Sequence, residues 1–254
     1  MKVKLKNEND IKLMRVSGKI LANTITALVH ASKEGVQLST LDKLARKLIT
    51  EAGATPTFLG YTPEGAMRPY PAALCASVNA QIVHGIPGNY ILKNGDVFSL
   101  DLGVTYKGRI TDSAVTIGIG KISEEARALI KATELSLEKA IKECVPGKTL
   151  GDIGYIVENT AKKANFRVIQ GLTGHGVGFE LHEDPSVFNY GTRGEGMKLV
   201  PGLVIAIEPM FAVSSQYAVA MRDGSYETQD GSLSAHFEHT IAITESGHEV
   251  LTLR

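Results

Sequence analysis

Apolar side chains in the first part of the chain recur with the period of an amphipathic helix. Between residues 9 and 35 they fall near the spacing of about 3.6 residues, and Gly35 is suited to end that helix. The positions concerned are Ile11, Met14, Val16, Leu21, Ile25 and Val29. A second helix is predicted from Ser39, a favoured N-cap residue, to near Gly53. The chain is therefore expected to begin with two helices.

An alternation of apolar and polar residues replaces the helical period further along. Residues 96–120 alternate and turn at Lys107-Gly108, which predicts a β-hairpin. Residues 55–90 are rich in Pro, Gly and Tyr and favour loops with short strands. Helical patterns return over 123–145 and 149–164, and strand patterns over 202–211 and 236–244. This order predicts an α+β fold.

The same order of elements occurs twice, which indicates an internal duplication. Aligning residues 34–53 with 146–165 superimposes Gly35, Leu38, Leu41 and Leu44 on Gly147, Leu150, Ile153 and Ile156. Aligning 92–101 with 199–208 places Asp101 over Glu208. We therefore predict one domain over 1–254, made of two related halves, about 1–115 and 116–254. The economical arrangement is a joined antiparallel sheet with helices packed over one side.

Composition excludes several classes of function. The chain is 43% hydrophobic and 21% charged, with 27 basic and 27 acidic residues, so it lacks a general attraction to nucleic acids or anionic membranes. No apolar run approaches the roughly 20 residues of a membrane span, and no signal-peptide pattern follows the N-terminal lysines. Cys75 and Cys144 form no C-x-x-C pattern, which favours reduced thiols and a cytoplasmic location.

Acidic residues interrupt four of the apolar strand patterns. Asp101 ends the run 97–100, and Asp112 lies on the returning strand of the same hairpin, close to opposite Asp101. Glu208 ends a second run, and Glu238 precedes a third. Taken singly, each acid has an ordinary explanation as a turn former, a cap or a strand end. Together they predict a cluster of buried carboxylates, which requires a partner charge or a metal.

A glycine-rich segment supplies a fifth candidate ligand, a histidine. In "GHGVGFELHEDP", residues 174–185, the glycines and Pro185 argue against a helix that would place His175 and His182 on one face. Oxygen-rich ligation with a single imidazole suits Mn(II), Fe(II), Co(II) or Zn(II), and bridging carboxylates suit two such ions. His236 and His239 flank Glu238, and one of them could also reach the site.

Five motifs in order carry a resemblance to a known family. "VHGIPG", "LDLGV…ITDSAVT", "GHGVGFELHEDP", "IEPM" and "SAHFEHTI" together resemble the type I methionine aminopeptidases, which have the pita-bread metallopeptidase fold. The resemblance implies a dinuclear metal site with five ligands. Asp101 would bind one ion, His175 and Glu208 the other, while Asp112 and Glu238 would bridge them. The ions expected are Co, Mn, Fe(II) or Zn.

The resemblance also implies the reaction. A water or hydroxide that bridges the two ions would attack the first peptide bond, and Glu208 would carry its proton to the leaving amine. His182 would stabilise the oxyanion and His84 would contact the substrate amide. The substrates implied are N-termini of nascent polypeptides, including those at the ribosome, with methionine first and a small second residue. Composition predicts no nucleic-acid sequence recognition and no membrane binding, and we expect a cytoplasmic monomer.

The methionine pocket implied by the resemblance is apolar. It would be lined by Phe58, Tyr61, Tyr70, Cys75 and Leu181. Three departures from the family pattern surround it. Residues 62–69 lengthen the segment between the two tyrosines, Ser225 stands where the family often has Trp, and His236 stands where Gln is usual.

Two alternatives remain open at this point. An X-Pro aminopeptidase or prolidase would share the fold and the metal ligands, although such proteins usually carry an additional N-terminal domain. A metal-free binding protein of the same fold would have lost some ligands, whereas all five acceptable ligand types are present here.

Overall fold

The computed structural model of the protein describes residues 3–62 and 68–254. The helices within these ranges are α1 (Glu8–Ala31), α2 (Leu38–Glu51), α3 (Glu124–Lys142) and α4 (Leu150–Lys163). The strands of the first part are β1 (Thr55–Pro56), β2 (Leu74–Val78), β3 (Gln81–Val83), β4 (Val97–Tyr106) and β5 (Arg109–Gly118). Those that follow α4 are β6 (Arg167–Val168), β7 (Thr173–Gly176), β8 (Glu183–Phe188), β9 (Val204–Ile207), β10 (Met210–Ala212), β11 (Ala218–Ala220), β12 (Tyr226–Thr228), β13 (Ser234–His236), β14 (His239–Thr244) and β15 (Gly247–Val250).

The predicted helices form, with corrected ends. A capping box starts α1, because the Asn7 side chain accepts from the Asp10 amide and the Asp10 carboxylate accepts from the Asn7 amide. The prediction of Ser39 as the N-cap of α2 is wrong, since the N-cap is Gln37 and the helix begins at Leu38. The amides of Leu38 and Ser39 donate to the carbonyls of Tyr90 and Gly88, so the first turn needs no side-chain cap.

The predicted hairpin is confirmed as β4 and β5. Its ladder runs from Val97↔Gly118 to Tyr106↔Arg109, and Lys107 and Gly108 form the turn at φ 47° and 73°. Positive φ at both turn residues matches the right-handed twist of the strands.

The register refines the relation between the two aspartates of the hairpin. Asp101 pairs with Ala114 and Asp112 pairs with Gly103. Because paired residues share a face, Asp101 and Asp112 are diagonal neighbours on the same face of the sheet.

The two predicted C-terminal strands are each divided at a carboxylate. Residues 202–211 form β9 and β10, interrupted at Glu208-Pro209, and residues 236–244 begin in β13 and continue in β14. Pro209 lacks the N–H that a continuous ladder requires. The register of Ile207↔His239 continues beyond the interruption as Met210↔His236. Glu208 and Glu238 therefore stand opposite each other at the break.

The strands assemble into two main antiparallel sheets. One contains β1, β4 and β2, with β5 paired to β4, and the other has the order β15-β14-β9-β7-β8. The sheets meet where the Glu238 amide donates to the Ala114 carbonyl at 3.0 Å. A hydroxyl strengthens this junction, because Thr240 Oγ1 donates to the Asp112 carbonyl at 2.8 Å and accepts from the Asp112 amide at 2.9 Å.

Each sheet buries one face against two helices. The first core includes Leu21, Ile25, Leu41 and Ile49 from α1 and α2 with Phe98, Leu100 and Leu102 from β4. The second includes Leu129, Leu137, Ile153 and Val157 from α3 and α4 with Ile205 and Ile207 from β9. Side chains alternate along a strand, so Asp101 and Asp112 point away from the first core, and Glu208 away from the second. The division into two related halves of a single domain stays a prediction.

The N-terminal segment crosses to the second sheet and holds the glycine-rich loop. Lys6 Nζ lies 2.5 Å from Glu183 Oε2, and the two side chains are only 1% and 5% exposed. Glu183 Oε1 in turn accepts from the amides of Phe179 and Glu180. The segment is therefore tied to the loop that carries His182. In the described part of the chain, no helix is long and apolar enough to cross a membrane.

Replacing Lys6 with Met should lower the free energy of unfolding by about 3 kcal/mol, because it leaves the Glu183 carboxylate buried without its partner charge. Denaturant unfolding followed by circular dichroism measures this change. Lys4→Met is the control, since Lys4 pairs with Glu180 at the surface and its loss should have no resolvable effect. Equal effects of the two substitutions would contradict the assignment.

Candidate metal centre

Five predicted ligands come together where the two sheets join. Asp101 and Asp112 project from β4 and β5 on the face that the helices leave uncovered, and both are buried. His175 lies in β7, where it pairs with Ala206 of β9. Glu208 follows β9 and Glu238 precedes β14. Each sheet thus contributes ligands to one location, and the junction between the sheets brings them together.

The distances within this cluster are those of side chains that can share cations. One ligand atom each from Asp112, His175 and Glu238 lies within 4.8 Å of the other two. His175 Nε2 is 3.5 Å from Glu208 Oε1 and 3.9 Å from Asp112 Oδ2. His175 Nδ1 lies 2.9 Å from the Gly176 carbonyl, to which it donates, so the Nε2 lone pair faces the carboxylates.

The electrostatics of the cluster require a cation or protons. Burial raises the pKa of Asp101 to about 7 and the pKa of Glu208 to about 8. Burial, reinforced by neighbouring carboxylates, raises the pKa of Asp112 and the pKa of Glu238 well above their usual range. Within the described residues, Asp101 Oδ1 and Glu238 Oε1 are buried without a hydrogen-bond partner. Oxygen ligands with unused lone pairs and one imidazole fit divalent metal ions.

Two further histidines border the cluster. The rings of His175 and His182 pack edge to face at 4.5 Å, and His182 Nδ1 lies 2.8 Å from the Tyr61 hydroxyl. Burial lowers the pKa of His182 to about 3, so its ring is neutral near pH 7. His84 has φ 61° and packs its ring against Tyr226. A cavity of about 430 Å³ is lined by His84 and His182 together with all five predicted ligands.

The predicted pocket residues form one apolar cluster beside Asp101. Phe58, Cys75 and Leu181 are buried together, with Tyr61 and Tyr70 packed against them. Cys75 pairs with Asp101 across β2 and β4, so the pocket adjoins the carboxylates directly. Burial raises the pKa of the Cys75 thiol. The structure therefore gathers every predicted pocket residue at one end of the carboxylate cluster.

The longer segment between the two tyrosines does not separate them. The amide of Tyr70 donates to the Tyr61 carbonyl at 2.8 Å, and the amide of Gly60 donates to the Tyr70 carbonyl at 2.9 Å. Residues 63–67 of this segment lie outside the described residues. Ser225 is fully buried, and its hydroxyl donates to Asp223 Oδ1 at 2.7 Å within the turn after β11.

Sequence reasoning missed two side chains that border the site. Ile110 packs against the apolar pocket, and Tyr226 packs on His84. Ile110 could have been found from alternation alone, because it lies two residues before Asp112 on the same strand face. Tyr226 offered no such signal, since its neighbour β3 lies more than a hundred residues away along the chain.

Comparisons with known proteins agree with this geometry. The model of metallopeptidase family M24 matches residues 12–245. The methionine aminopeptidase of Clostridium perfringens is 45% identical over 250 residues, which cover 98% of each chain. The crystal structure of methionine aminopeptidase from Thermotoga maritima superimposes with a TM-score of 0.95 at 38% identity over 100% of both chains. The prolidase from Pyrococcus furiosus reaches a TM-score of 0.77 at 21% identity over 98% of this chain and 65% of the other, a likeness of fold alone.

The chain belongs to metallopeptidase family M24 and, within it, to the methionine aminopeptidases. The resemblance read from the five motifs is therefore confirmed, as is the α+β pita-bread fold with antiparallel sheets and packed helices. The protein is a metal-dependent hydrolase that uses divalent metal.

The stability of the metal-free protein should fall as pH rises from 7.5 to 8.5. Folded Asp101 and Glu208 keep protons to about pH 7 and about pH 8, whereas the unfolded carboxyls lose theirs near pH 4. Above pH 7.5 the unfolded histidines, with an ordinary pKa near 6.5, are largely neutral, so the unfolded state binds fewer protons than the folded state. Divalent ions replace those protons, so the difference in melting temperature between Mn(II)-loaded and chelated protein should widen with pH.

Differential scanning calorimetry at several pH values measures this trend. Asp101→Asn removes one of the titrating carboxyls and should flatten the slope of the metal-free protein. A melting temperature of the chelated wild type that rises across the same window would contradict the carboxylate account.

Proposed function

We propose that the chain removes the N-terminal methionine from peptides and nascent proteins by hydrolysing the first peptide bond at a site for two divalent ions. The cluster of buried carboxylates around His175 is the observation that carries this proposal, because it sits at the end of an apolar pocket. An N-terminal side chain in the pocket would bring its peptide bond to the carboxylates.

The ligands divide between two ions in this proposal. Asp101 would hold one ion, His175 and Glu208 would hold the other, and Asp112 and Glu238 would serve both. The mutual approach of Asp112, His175 and Glu238 within 4.8 Å supports the bridging roles. Such ions, when bound, lower the pKa of a water toward neutrality, hold the substrate's free amine and polarise the scissile carbonyl. Co, Mn, Fe(II) and Zn all suit this donor set, and cellular supply selects among them.

Glu208 moves the proton that hydrolysis requires. With its carboxylate beside His175, Glu208 would take a proton from the attacking water and return it to the leaving amine nitrogen. The backbone carbonyl of Glu208 accepts a hydrogen bond from Asn189 Nδ2 at 2.9 Å, which holds Glu208 in the interruption between β9 and β10.

His182 and His84 act on the substrate. When Tyr61 donates its hydroxyl proton to His182 Nδ1, the neutral ring carries its own proton on Nε2. That Nε2–H donates to the oxyanion that develops on the scissile carbonyl. His84 contacts the amide next to the scissile bond, and its ring is held by packing on Tyr226.

The apolar pocket selects methionine. Phe58, Tyr61, Tyr70, Cys75 and Leu181 offer aromatic and sulfur contacts to an unbranched thioether side chain. The second residue of the substrate is small in this proposal and lies toward His84 and His236. We also propose that the chain works as a monomer in the cytoplasm, on N-termini including those that emerge at the ribosome.

Removing the proton-shuttling carboxylate should abolish turnover. Glu208→Gln is expected to release no measurable methionine from Met-Ala-Ser in the presence of Mn(II), Co(II) or Fe(II). His182→Ala should lower kcat by about 10²- to 10³-fold, as loss of an oxyanion donor does. His30→Ala, on the exposed side of α1, is the matched control and should keep full activity. Wild type that releases no methionine with any divalent metal would refute the proposed activity.

Substrate preference separates this activity from that of a prolidase. We expect Met-Ala-Ser to be cleaved faster than Met-Leu-Ser, and X-Pro peptides to be cleaved more slowly than either. Rates for the three peptides with the same metal provide the measurement. Faster cleavage of the X-Pro peptide than of Met-Ala-Ser would favour a prolidase-like function.

A further inference from the structure

His236 lies beside the metal cluster, and the proposed ligand set leaves it without a role. It ends β13, where it pairs with Met210, and its side chain is only 2% exposed. Its Nε2 atom lies 3.3 Å from Glu208 Oε2. The other oxygen of the same carboxylate, Oε1, is 3.5 Å from His175 Nε2. The Glu208 carboxylate therefore stands between two imidazoles, one facing each oxygen.

The backbone of His236 is fixed from both sides. Its amide donates to Thr116 Oγ1 at 2.8 Å, and its carbonyl accepts from the same hydroxyl at 2.7 Å. Thr116 lies in β5, and its hydroxyl also contacts Ser99 Oγ of β4 at 2.8 Å. The position of the ring is thus set by the first sheet, although the carboxylate that it faces follows a strand of the second.

The ring nitrogens of His236 are buried and have no hydrogen-bond partner among the described residues. A neutral imidazole always carries one N–H, and a buried donor without an acceptor costs about 1–3 kcal/mol. Glu208 Oε2, at 3.3 Å, is just beyond the usual N–H···O range, so a small rotation of the ring or the carboxylate completes the bond. Such a bond would satisfy the orphaned donor of His236.

We infer that His236 is a positioning residue whose Nε2–H donates to Glu208 Oε2 and so keeps Oε1 directed toward His175. This inference rests on the proposed role of Glu208 as ligand and proton carrier. A carboxylate that binds a metal through one oxygen and moves a proton needs a fixed orientation, and outer hydrogen bonds supply it.

Direct ligation by His236 is the competing arrangement. A second imidazole on the ion would need the Nε2 lone pair to face the cluster, whereas donation to Glu208 needs a proton on the same atom. The two arrangements therefore differ in one observable, the protonation of His236 Nε2 in the metal-loaded protein.

Nitrogen-15 NMR of the Zn(II)-loaded wild type, with labelled histidine, reads that proton directly. We expect His236 to show a protonated Nε2 and His175 to show a metal-bound Nε2. A metal-bound Nε2 on His236 would overturn the inference in favour of direct ligation. This measurement needs no catalytic turnover, so it tests His236 even if methionine release fails and the proposed function falls.

Two substitutions test the consequence for catalysis. His236→Leu removes the donor at similar volume and should lower kcat for Met-Ala-Ser by about 10- to 100-fold with a much smaller change in KM. His236→Gln keeps an N–H donor and should restore most of the lost kcat. His248→Leu is the control, because His248 contacts the Cys144 carbonyl away from the site and should leave kcat unchanged.

Either variant result can overturn the inference. Unchanged kcat in His236→Leu would show that Glu208 needs no such donor. Failure of His236→Gln to restore kcat, with Zn(II) stoichiometry and circular dichroism equal to wild type, would show that donation is not what the ring contributes. If His236→Leu does not fold, His236→Gln and the NMR measurement still decide the question.

Discussion

The burial of like charges at the junction of two sheets is the constraint on which the rest of the structure depends. Asp101, Asp112, Glu208 and Glu238 are all desolvated there, and their pKa values are all raised. Four such carboxylates repel one another unless cations lie between them. The metal site is therefore part of the fold's energetics as well as of its chemistry. It explains why acidic side chains interrupt strands whose other residues are apolar.

Hydroxyl groups hold the junction together at the place where repulsion is greatest. The Thr240 hydroxyl forms hydrogen bonds with both the amide and the carbonyl of Asp112, and the Thr116 hydroxyl does the same with those of His236. Ser113 Oγ donates to the Glu238 carbonyl at 2.7 Å. These small side chains satisfy backbone groups that an edge-to-edge meeting of two sheets would otherwise leave unpaired. They position the carboxylates without adding charge.

The substrate side of the site depends on loops that are tied down from a distance. Glu183 anchors the glycine-rich loop by accepting from two of its amides, and the buried Lys6 compensates its charge. Tyr61 reaches the same loop through His182. His175 at the end of β7 can then face the carboxylates while His182 faces the cavity, although the two are only seven positions apart. Their seven-residue spacing does not reflect a shared helical face, because β7 ends between them.

The sequence by itself determined the helices and the hairpin, because these follow from local periodicity. It also determined the family and the identity of the clustered carboxylates, because several acidic residues on apolar strands indicate a shared site only when they are considered together. It could not determine that Glu208 faces Glu238, since both predicted strands are divided there and only the ladder register shows it.

Tertiary structure alone also decided the start of α2 and the place of His236. Distant carbonyls cap the helix in place of Ser39, and the orientation of His236 is set by Thr116 from the other sheet. In both cases the deciding hydrogen bonds join residues about 50 or more positions apart along the chain. Local sequence pattern cannot reveal such pairs, because residues so far apart along the chain meet only in the folded structure.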